Sequence, residues 1–403
     1  MISRGLLFAS VFAAGVAGCG ASPSGTTAPP PKHVDVQNQI LGARGVEGTP
    51  SELRDRGERA LLAQEWQDAA LAFEALLAGD PSAKNDPQIL YGLAFAYEGL
   101  GEREKARARY REVSRRFATA PIARSALVRE VSLDAYLEDW TALGDVAEII
   151  LERADLDPAD KMLGLGARAL GRIEAGDEAG ASRDVSEGLD LVDEHRYGAT
   201  GQLPVAAAML KYALGEVRRV RSEKISLHPP GPDFVQKLEL RCQGLLDAQS
   251  AYADAIRSVD LHWAAMSGFR VGEMYRTLHR HLMMIPPPEK AKTEHDRQLF
   301  YGIMHVRYRV LLEKGVEMMK RTLSLGERVA ADARREGKDG REGELAASWM
   351  KRAEAAKAEM EKALEEEAAQ IAKFPFTEEE LEKALAIMKK KALEDAEKKA
   401  AKK

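Results

Sequence analysis

Two stretches of similar sequence decide the fold: "GERALLAQEWQDAALAFEALLAGDP" at residues 57–81 and "AFAYEGLGEREKARARYREVSRRFA" at residues 94–118. At an offset of 37 residues, small residues match small ones and an aromatic residue matches another. The matched positions are Gly57 with Ala94, Ala69 with Ala106, and Phe73 with Tyr110. Small residues let two helices approach closely, and the aromatic ring fills the space beside the next unit. The pattern therefore predicts helix pairs that repeat along the chain.

This pattern resembles the tetratricopeptide repeat (TPR), a family whose units are two antiparallel helices. The second stretch has the family's spacing of a small residue and an aromatic residue in both helices. These positions are Ala94 and Tyr97 in the first helix, and Gly101, Ala106 and Tyr110 around the second. The period of 37 exceeds the 34 residues typical of the family, and the polar stretch 82–86 accommodates the surplus.

Two weaker units follow, the third with Trp140, Leu143 and Ala147 and the fourth within 166–185. Beyond Tyr197 the period is lost, but helical patterns continue between proline-rich breaks. We therefore predict an all-α fold in three parts. They are a TPR-like helical-hairpin solenoid over 51–197, longer helical hairpins continuing the array over 198–335, and a charged helical tail over 336–403.

The composition supports this prediction and excludes some functions. Of 403 residues, 45% are apolar, 31% are charged and only 6% are aromatic, and strong helix formers dominate. The net charge of −5 gives no bulk attraction to nucleic acid. Two cysteines, Cys19 and Cys242, are too few for a disulfide framework. Cys242 lies in an apolar helical stripe, which favours a packing role.

The chain begins with one basic residue and about 12 apolar ones, too few to span a bilayer as a helix. The ending Val16-Ala17-Gly18-Cys19 resembles the bacterial lipobox. That resemblance implies a signal peptide at 1–18, covalent lipid on Cys19, and retention at the outer membrane because Gly20 replaces the Asp of inner-membrane lipoproteins. The alternative is an ordinary secretory signal with an incidental cysteine. The Pro-, Ser- and Gly-rich residues 19–50 are predicted to be a disordered tether.

The tail has a narrow apolar stripe between charged flanks, which includes Trp349, Ala353 and Met360. Such a stripe suits docking on the protein's own body or coiled-coil pairing with another helix. Beyond Ala386 the tail is predicted either to continue as a helix or to fray.

The candidate binding site is a groove, because TPR proteins usually hold peptides along the concave face formed by the first helices. Transferring those positions to the first three units gives nine candidate protein-binding residues. They are Arg54, Glu58, Gln88, Tyr91, Phe95, Glu98, Val128, Ser132 and Tyr136. Exposed aromatic residues there can anchor an extended peptide or a partner helix. The alternative is that the chain's own linker or tail covers them.

No hydrolase, P-loop or zinc-binding motif occurs in the sequence. The histidine spacing, such as His279 and His281 two residues apart, does not suit a shared metal on a helix. The basic stretch 106–116 is interpreted as a solvated helix rather than an RNA site. We therefore expect no enzyme activity, no metal, no small-molecule substrate and no cofactor other than the lipid on Cys19.

Together these features predict an outer-membrane-anchored, periplasm-facing lipoprotein. Its expected role is a protein–protein interaction scaffold in an envelope assembly, secretion or motility complex. The alternative is a peptidoglycan-associated module that tethers the cell wall or its enzymes to the outer membrane.

Overall fold

The structure is a computed structural model that describes residues 46–197, 204–257, 260–335 and 341–400. Within these ranges all regular elements are helices, which confirms the all-α prediction. The signal peptide, Cys19 and nearly all of the tether lie outside the described residues. The α-helices are α1 (Pro50–Leu62), α2 (Trp66–Gly79), α3 (Pro87–Gly99), α4 (Arg103–Arg116), α5 (Pro121–Tyr136), α6 (Trp140–Leu151), α7 (Pro158–Glu174), α8 (Glu178–Glu194), α9 (Val205–Glu223), α10 (Phe234–Ile256), α11 (Leu261–Met283), α12 (Glu294–Arg335), α13 (Arg341–Ile371) and α14 (Glu378–Ala400).

The first eight helices form four pairs with the same local design. Each pair starts with a proline at the first helical turn, where its fixed φ suits the helix and its missing N–H costs nothing. These prolines are Pro50, Pro87, Pro121 and Pro158. In each pair, the residue two positions before the second helix has a positive φ, which reverses the chain. These residues are Gln64 (59°), Gly101 (78°), Glu138 (57°) and Gly176 (82°). The two units with weak sequence signals therefore turn as the strong ones do.

The small and aromatic positions of the repeat pack as the pattern predicts. The ring of Phe73 on α2 lies over Gly57 of α1 and Gly92 of α3. A Cβ atom at Gly57 would lie 2.7 Å from Phe73 Cζ, and one at Gly92 would lie 3.0 Å from it. Phe73 itself is buried. The aromatic ring thus joins consecutive first helices, and only small residues leave room for it.

After the four units come the longer helices α9 to α12. The proline-rich stretch 227–233 lies between α9 and α10, and the prolines at 286–288 lie between α11 and α12. Helix α12 is a single helix of 42 residues. Its interior contains no proline, and Gly302, Gly315 and Gly326 all lie against other helices, so packing supports it along its length.

The helices α11, α12 and α13 pack as a bundle in which α11 and α13 run in the same direction. The apolar stripe of the tail packs inside this bundle, where Trp349, Ala353 and Met360 are buried. The backbones of α11 and α12 approach closely, since a Cβ at Gly272 would lie 3.3 Å from the carbonyl oxygen of Gly315. The stripe therefore docks on the protein's own body.

None of the helices in the described ranges combines the length and the apolar character that a membrane-spanning helix requires.

Candidate protein-binding groove

Three of the predicted groove residues, Tyr91, Phe95 and Glu98, lie on α3 and join one polar and aromatic cluster. The carboxylate of Glu98 is its centre: the Tyr110 hydroxyl donates to Oε2 at 2.8 Å. Arg129 on α5 donates from Nη1 to the other oxygen, Oε1, at 3.0 Å. The side chains of α3, α4 and α5 are thereby held in a fixed arrangement. We call Tyr91, Phe95, Glu98, Tyr110 and Arg129 the groove cluster.

The aromatic members of the groove cluster are oriented by edge-to-face contacts. The Tyr91 and Tyr110 ring centroids are 5.2 Å apart, and those of Phe95 and Trp66 are 5.5 Å apart. The Arg129 guanidinium lies 5.3 Å from the Phe95 ring centroid, within the range of a cation–π contact. Tyr91 and Phe95 are half-buried, so each is fixed by neighbours while keeping an accessible edge. Such rigid aromatic side chains lose little entropy when a partner binds.

The electrostatics of the cluster favour a stable ion pair. Burial opposes the charge on Arg129, but the Glu98 carboxylate, Tyr110 and Tyr91 together outweigh it and raise the pKa of Arg129. Burial and the same carboxylate raise the pKa of Tyr110, so its hydroxyl stays protonated and donates to Glu98. The side chains of the groove cluster are therefore held together by an ion pair and a hydrogen bond that share the Glu98 carboxylate.

The outer end of the predicted groove is formed by α1 and the start of α3. Arg54 donates from Nη2 to Asp86 Oδ2 at 2.7 Å, and Asp86 also accepts the backbone N–H of Gln88 at 2.9 Å. Burial would raise the pKa of Asp86, but Arg54 and the backbone N–H groups lower it overall. Glu58 and Gln88 are exposed. This end is thus polar and open to solvent.

The third unit is engaged by its own chain. The Tyr136 hydroxyl donates to Asp260 Oδ2 at 2.6 Å, and its ring lies 4.8 Å from the His262 ring at the start of α11. Burial raises the pKa of Tyr136 well above its ordinary value. Val128 packs against the apolar core that extends from α5 to α13, and the Ser132 hydroxyl donates to the carbonyl oxygen of Val128 at 3.1 Å. Of the three predicted residues in unit three, Tyr136 is bonded to α11, whereas Val128 and Ser132 are half-buried like Tyr91 and Phe95. Partner binding by any of them stays a prediction.

Sequence reasoning missed Arg129, although a signal was present. Six of the nine positions lie at an offset of 37 residues from one another, yet α5 has 16 residues and α3 has 13. The first-turn prolines Pro87 and Pro121 are only 34 residues apart, and this offset places Arg129 opposite Phe95. Counting from the start of each first helix would therefore have placed Arg129 on the groove face.

The basic stretch of α4 makes internal ion pairs. Arg111 Nε lies 2.8 Å from Glu130 Oε1, and Arg107 Nη1 lies 3.1 Å from Asp134 Oδ1. Both acids belong to α5 and are fully buried. Burial raises the pKa of Asp134 to about 6 even though Arg107 and Arg111 oppose that shift. These arginines thus join α4 to α5.

Two histidines that the sequence separates are brought together by Glu367 of α13. His279 Nε2 lies 3.3 Å from Glu367 Oε1, and His305 Nδ1 contacts the other carboxylate oxygen. Burial would raise the pKa of Glu367, but hydrogen bonds to both imidazoles lower it to about 2. Within the described ranges, no group of three or more His, Cys, Asp or Glu side chains is arranged to hold a metal ion. The three residues join α11, α12 and α13.

The chain has distant similarity to solved structures of IFIT1. No protein-family model and no curated protein matches the chain. Among solved structures, a human IFIT1 dimer with m7Gppp-AAAA covers 84% of this chain and 76% of its own, at 15% identity and a TM-score of 0.36. A monomeric mutant of IFIT1 with Gppp-AAAA covers 83% of this chain and 74% of its own, with the same identity and TM-score. The all-α helical-hairpin fold of the described residues rests on their own helices.

Proposed function

We propose that this protein is a lipid-anchored scaffold that binds other envelope proteins through the accessible part of its groove. The observation that supports this proposal best is the groove cluster. Tyr91 and Phe95 are half-buried and held by neighbouring side chains, and they lie beside the charged Arg129. Aromatic and arginine side chains in such a setting contribute most to protein–protein affinity. An extended peptide or a partner helix is the proposed ligand.

The proposed role is binding rather than catalysis. Both oxygens of Glu98 already accept hydrogen bonds, one from Tyr110 and one from Arg129. A carboxylate held in this way orients its neighbours and is poorly placed to take a proton from a substrate. We accordingly propose no cofactor beyond the lipid on Cys19.

The proposed anchor rests on the lipobox resemblance of residues 16–19 and on the composition of the segment that follows. Lipid on Cys19 would hold the protein at the periplasmic side of the outer membrane, and residues 19–50 would connect it to the folded units. Confinement to a surface raises the effective concentration of a partner there without requiring tight binding. The lipid would then confine the protein to the membrane surface, and the groove would recruit a partner there.

In-cell photo-crosslinking tests both parts of the proposal. A photoreactive phenylalanine analogue replaces Tyr91 in the groove cluster, or Ala108, an exposed residue on α4, as the matched control. Each is expressed with and without the Cys19→Ala change. A discrete protein captured from position 91 but not from 108, and lost without Cys19, is the expected result. Capture that persists without Cys19 would refute the tethering mechanism, and no capture from position 91 would refute the groove.

The peptidoglycan alternative is tested with the same variants. The purified protein is sedimented with isolated sacculi, with the position-91 replacement and the unchanged chain compared. Sedimentation that the replacement does not affect, combined with no capture from position 91, would favour the cell-wall module over the scaffold.

A further inference from the structure

Helix α14 packs on the rest of the protein only through its first turns. Leu381 and Leu385 are buried and pack with Ile303 of α12. From Ala386 on, every side chain that the structure describes is exposed, although the helix itself continues to Ala400. The second half of α14 thus presents its described side chains to solvent.

Two large apolar side chains lie in this exposed part of α14. Ile387 is 68% exposed and Met388 is 54% exposed. Met388 follows Leu385 by three residues and Leu381 by seven, so on a helix it continues the face that packs on α12. The apolar face of α14 therefore extends beyond the helix that covers it, and its contact with water is unfavourable.

Lysines follow these apolar residues directly in the sequence. Residues 387–391 read Ile-Met-Lys-Lys-Lys, with three positive charges and no negative one, in a chain whose net charge is −5. Lys390 is exposed. A helix binds an anionic membrane surface by this combination, because apolar side chains enter the interface while lysines attract the headgroups. A second copy of α14 is a poorer match, since pairing would bring two runs of lysines together.

We propose that residues 387–391 of α14 form a second membrane contact, which binds an anionic phospholipid surface beside the lipid anchor. The presence of a membrane within reach rests on the proposed function, in which the lipid on Cys19 and the tether of residues 19–50 hold the folded units at the outer membrane. A flexible chain of the tether's length spans roughly 30 Å. Confinement by the anchor makes the contact of α14 effectively intramolecular, so a weak contact suffices to add to the attachment.

Sedimentation with vesicles tests this contact without the anchor. The purified chain of residues 19–403 carries Cys19→Ala, so that neither the proposed signal peptide nor the proposed lipid contributes, and it keeps every described helix. It is mixed with vesicles of phosphatidylcholine, either pure or containing phosphatidylglycerol. The chain should sediment with the vesicles that contain phosphatidylglycerol and far less with the pure ones, and added salt should weaken the binding.

Substitutions on α14 show whether this helix carries the binding. Lys390→Glu replaces an attraction by a repulsion and should lower the partition coefficient roughly five- to thirtyfold. Ile387→Ala combined with Met388→Ala should lower it roughly tenfold, because fewer methylene groups enter the interface. The matched controls are Lys362→Glu on α13, whose side chain is 77% exposed, and Leu62→Ala on α1, where the leucine is 87% exposed. Both controls should bind as the unchanged chain does.

The outcomes separate the possible occupants of this face. No sedimentation with phosphatidylglycerol vesicles, or sedimentation that the α14 substitutions leave unchanged, would overturn the proposal. A dimer in analytical ultracentrifugation that Ile387→Ala with Met388→Ala dissociates, without vesicle binding, would assign the face to a second copy instead. The assay contains neither the lipid on Cys19 nor a groove partner. Its failure would therefore be distinguishable from a failure of the proposed function, which crosslinking from position 91 tests separately.

Discussion

Acid should loosen this protein through one buried imidazole, that of His262. The residue is 2% exposed, and Trp349 donates a hydrogen bond to its Nδ1, which requires an unprotonated nitrogen there. Burial, together with the charges of Arg103 on α4 and Arg352 on α13, lowers the pKa of His262 from 6.5 to about 3. Asp260, the N-cap of the same helix, is the carboxylate nearest in sequence and is bonded to Tyr136.

The sign and size of the effect follow from proton linkage. Between pH 6.5 and pH 3 the unfolded chain binds a proton at this position and the folded chain does not. Folding stability is therefore lost as the pH falls below about 6.5, at about 1.4 kcal/mol per pH unit. At pH 4.5, two units below the unfolded value, the expected loss is about 2.7 kcal/mol. That is a large fraction of the stability of an ordinary domain.

Urea unfolding at pH 7.0 and pH 4.5 measures this loss. The comparison is between the unchanged protein and His262→Gln, whose neutral amide also accepts a hydrogen bond. Because other titrating groups are common to both proteins, the difference between their pH dependences isolates His262. The unchanged protein should lose about 2.7 kcal/mol more than the variant. His195→Gln, which replaces an exposed histidine, is the control. Equal pH dependence in the unchanged protein and His262→Gln would refute the buried, neutral imidazole.

Two further changes test the repeat packing, and a third tests the buried carboxyl of Asp134. Gly171→Ala should destabilise the fold by about 1–3 kcal/mol in urea unfolding, because the added Cβ would lie 2.5 Å from the Cα of Gly144. Gly79→Ala is the control: its Cβ meets no atom within 4 Å, so this change should be neutral or slightly stabilising. Phe73→Ala should cost about 3–5 kcal/mol in the same assay, since its ring packs between two first helices; a loss below about 1 kcal/mol would contradict that packing. Asp134→Asn should flatten an acid dependence of the opposite sign to that of His262. The pKa of Asp134 is raised to about 6, so the folded chain binds the extra proton and gains stability as the pH falls from 6 towards 3.8. A pH dependence left unchanged by Asp134→Asn would contradict the buried carboxyl.

The repeat units were predictable because their determinants are local and periodic. The small residues and the aromatic residue recur at a fixed spacing, and Phe73 contacts Gly57 and Gly92 in the way that spacing requires. The weak third unit shows how far such a signal extends. Its helices lack the aromatic position, yet Pro121 at the first turn and the positive φ at Glu138 give it the same turn.

The long-range contacts of Tyr136 and His262 could not be predicted in this way. Tyr136 and Asp260 are separated by 124 residues, and Trp349 and His262 by 87. A helical stripe reports that one face of a helix is buried, but it does not report which helix covers it. The tail stripe thus left open whether α13 docks on its own chain or on another, and only the packing of α11 and α12 decides it.

The length of α5 explains the different surroundings of two of its residues, Arg129 and Tyr136. Helix α5 is three residues longer than α3. Positions counted from the start of α5 and positions counted from its end therefore differ by nearly one turn, which takes 3.6 residues. Counted from its first turn, α5 brings Arg129 to the position of Phe95, where it bonds to Glu98 and completes the groove cluster. Counted from its end, the same helix carries Tyr136 to the α11 junction. One helix therefore contributes Arg129 to the groove cluster near its middle and Tyr136 to the contact with α11 at its end.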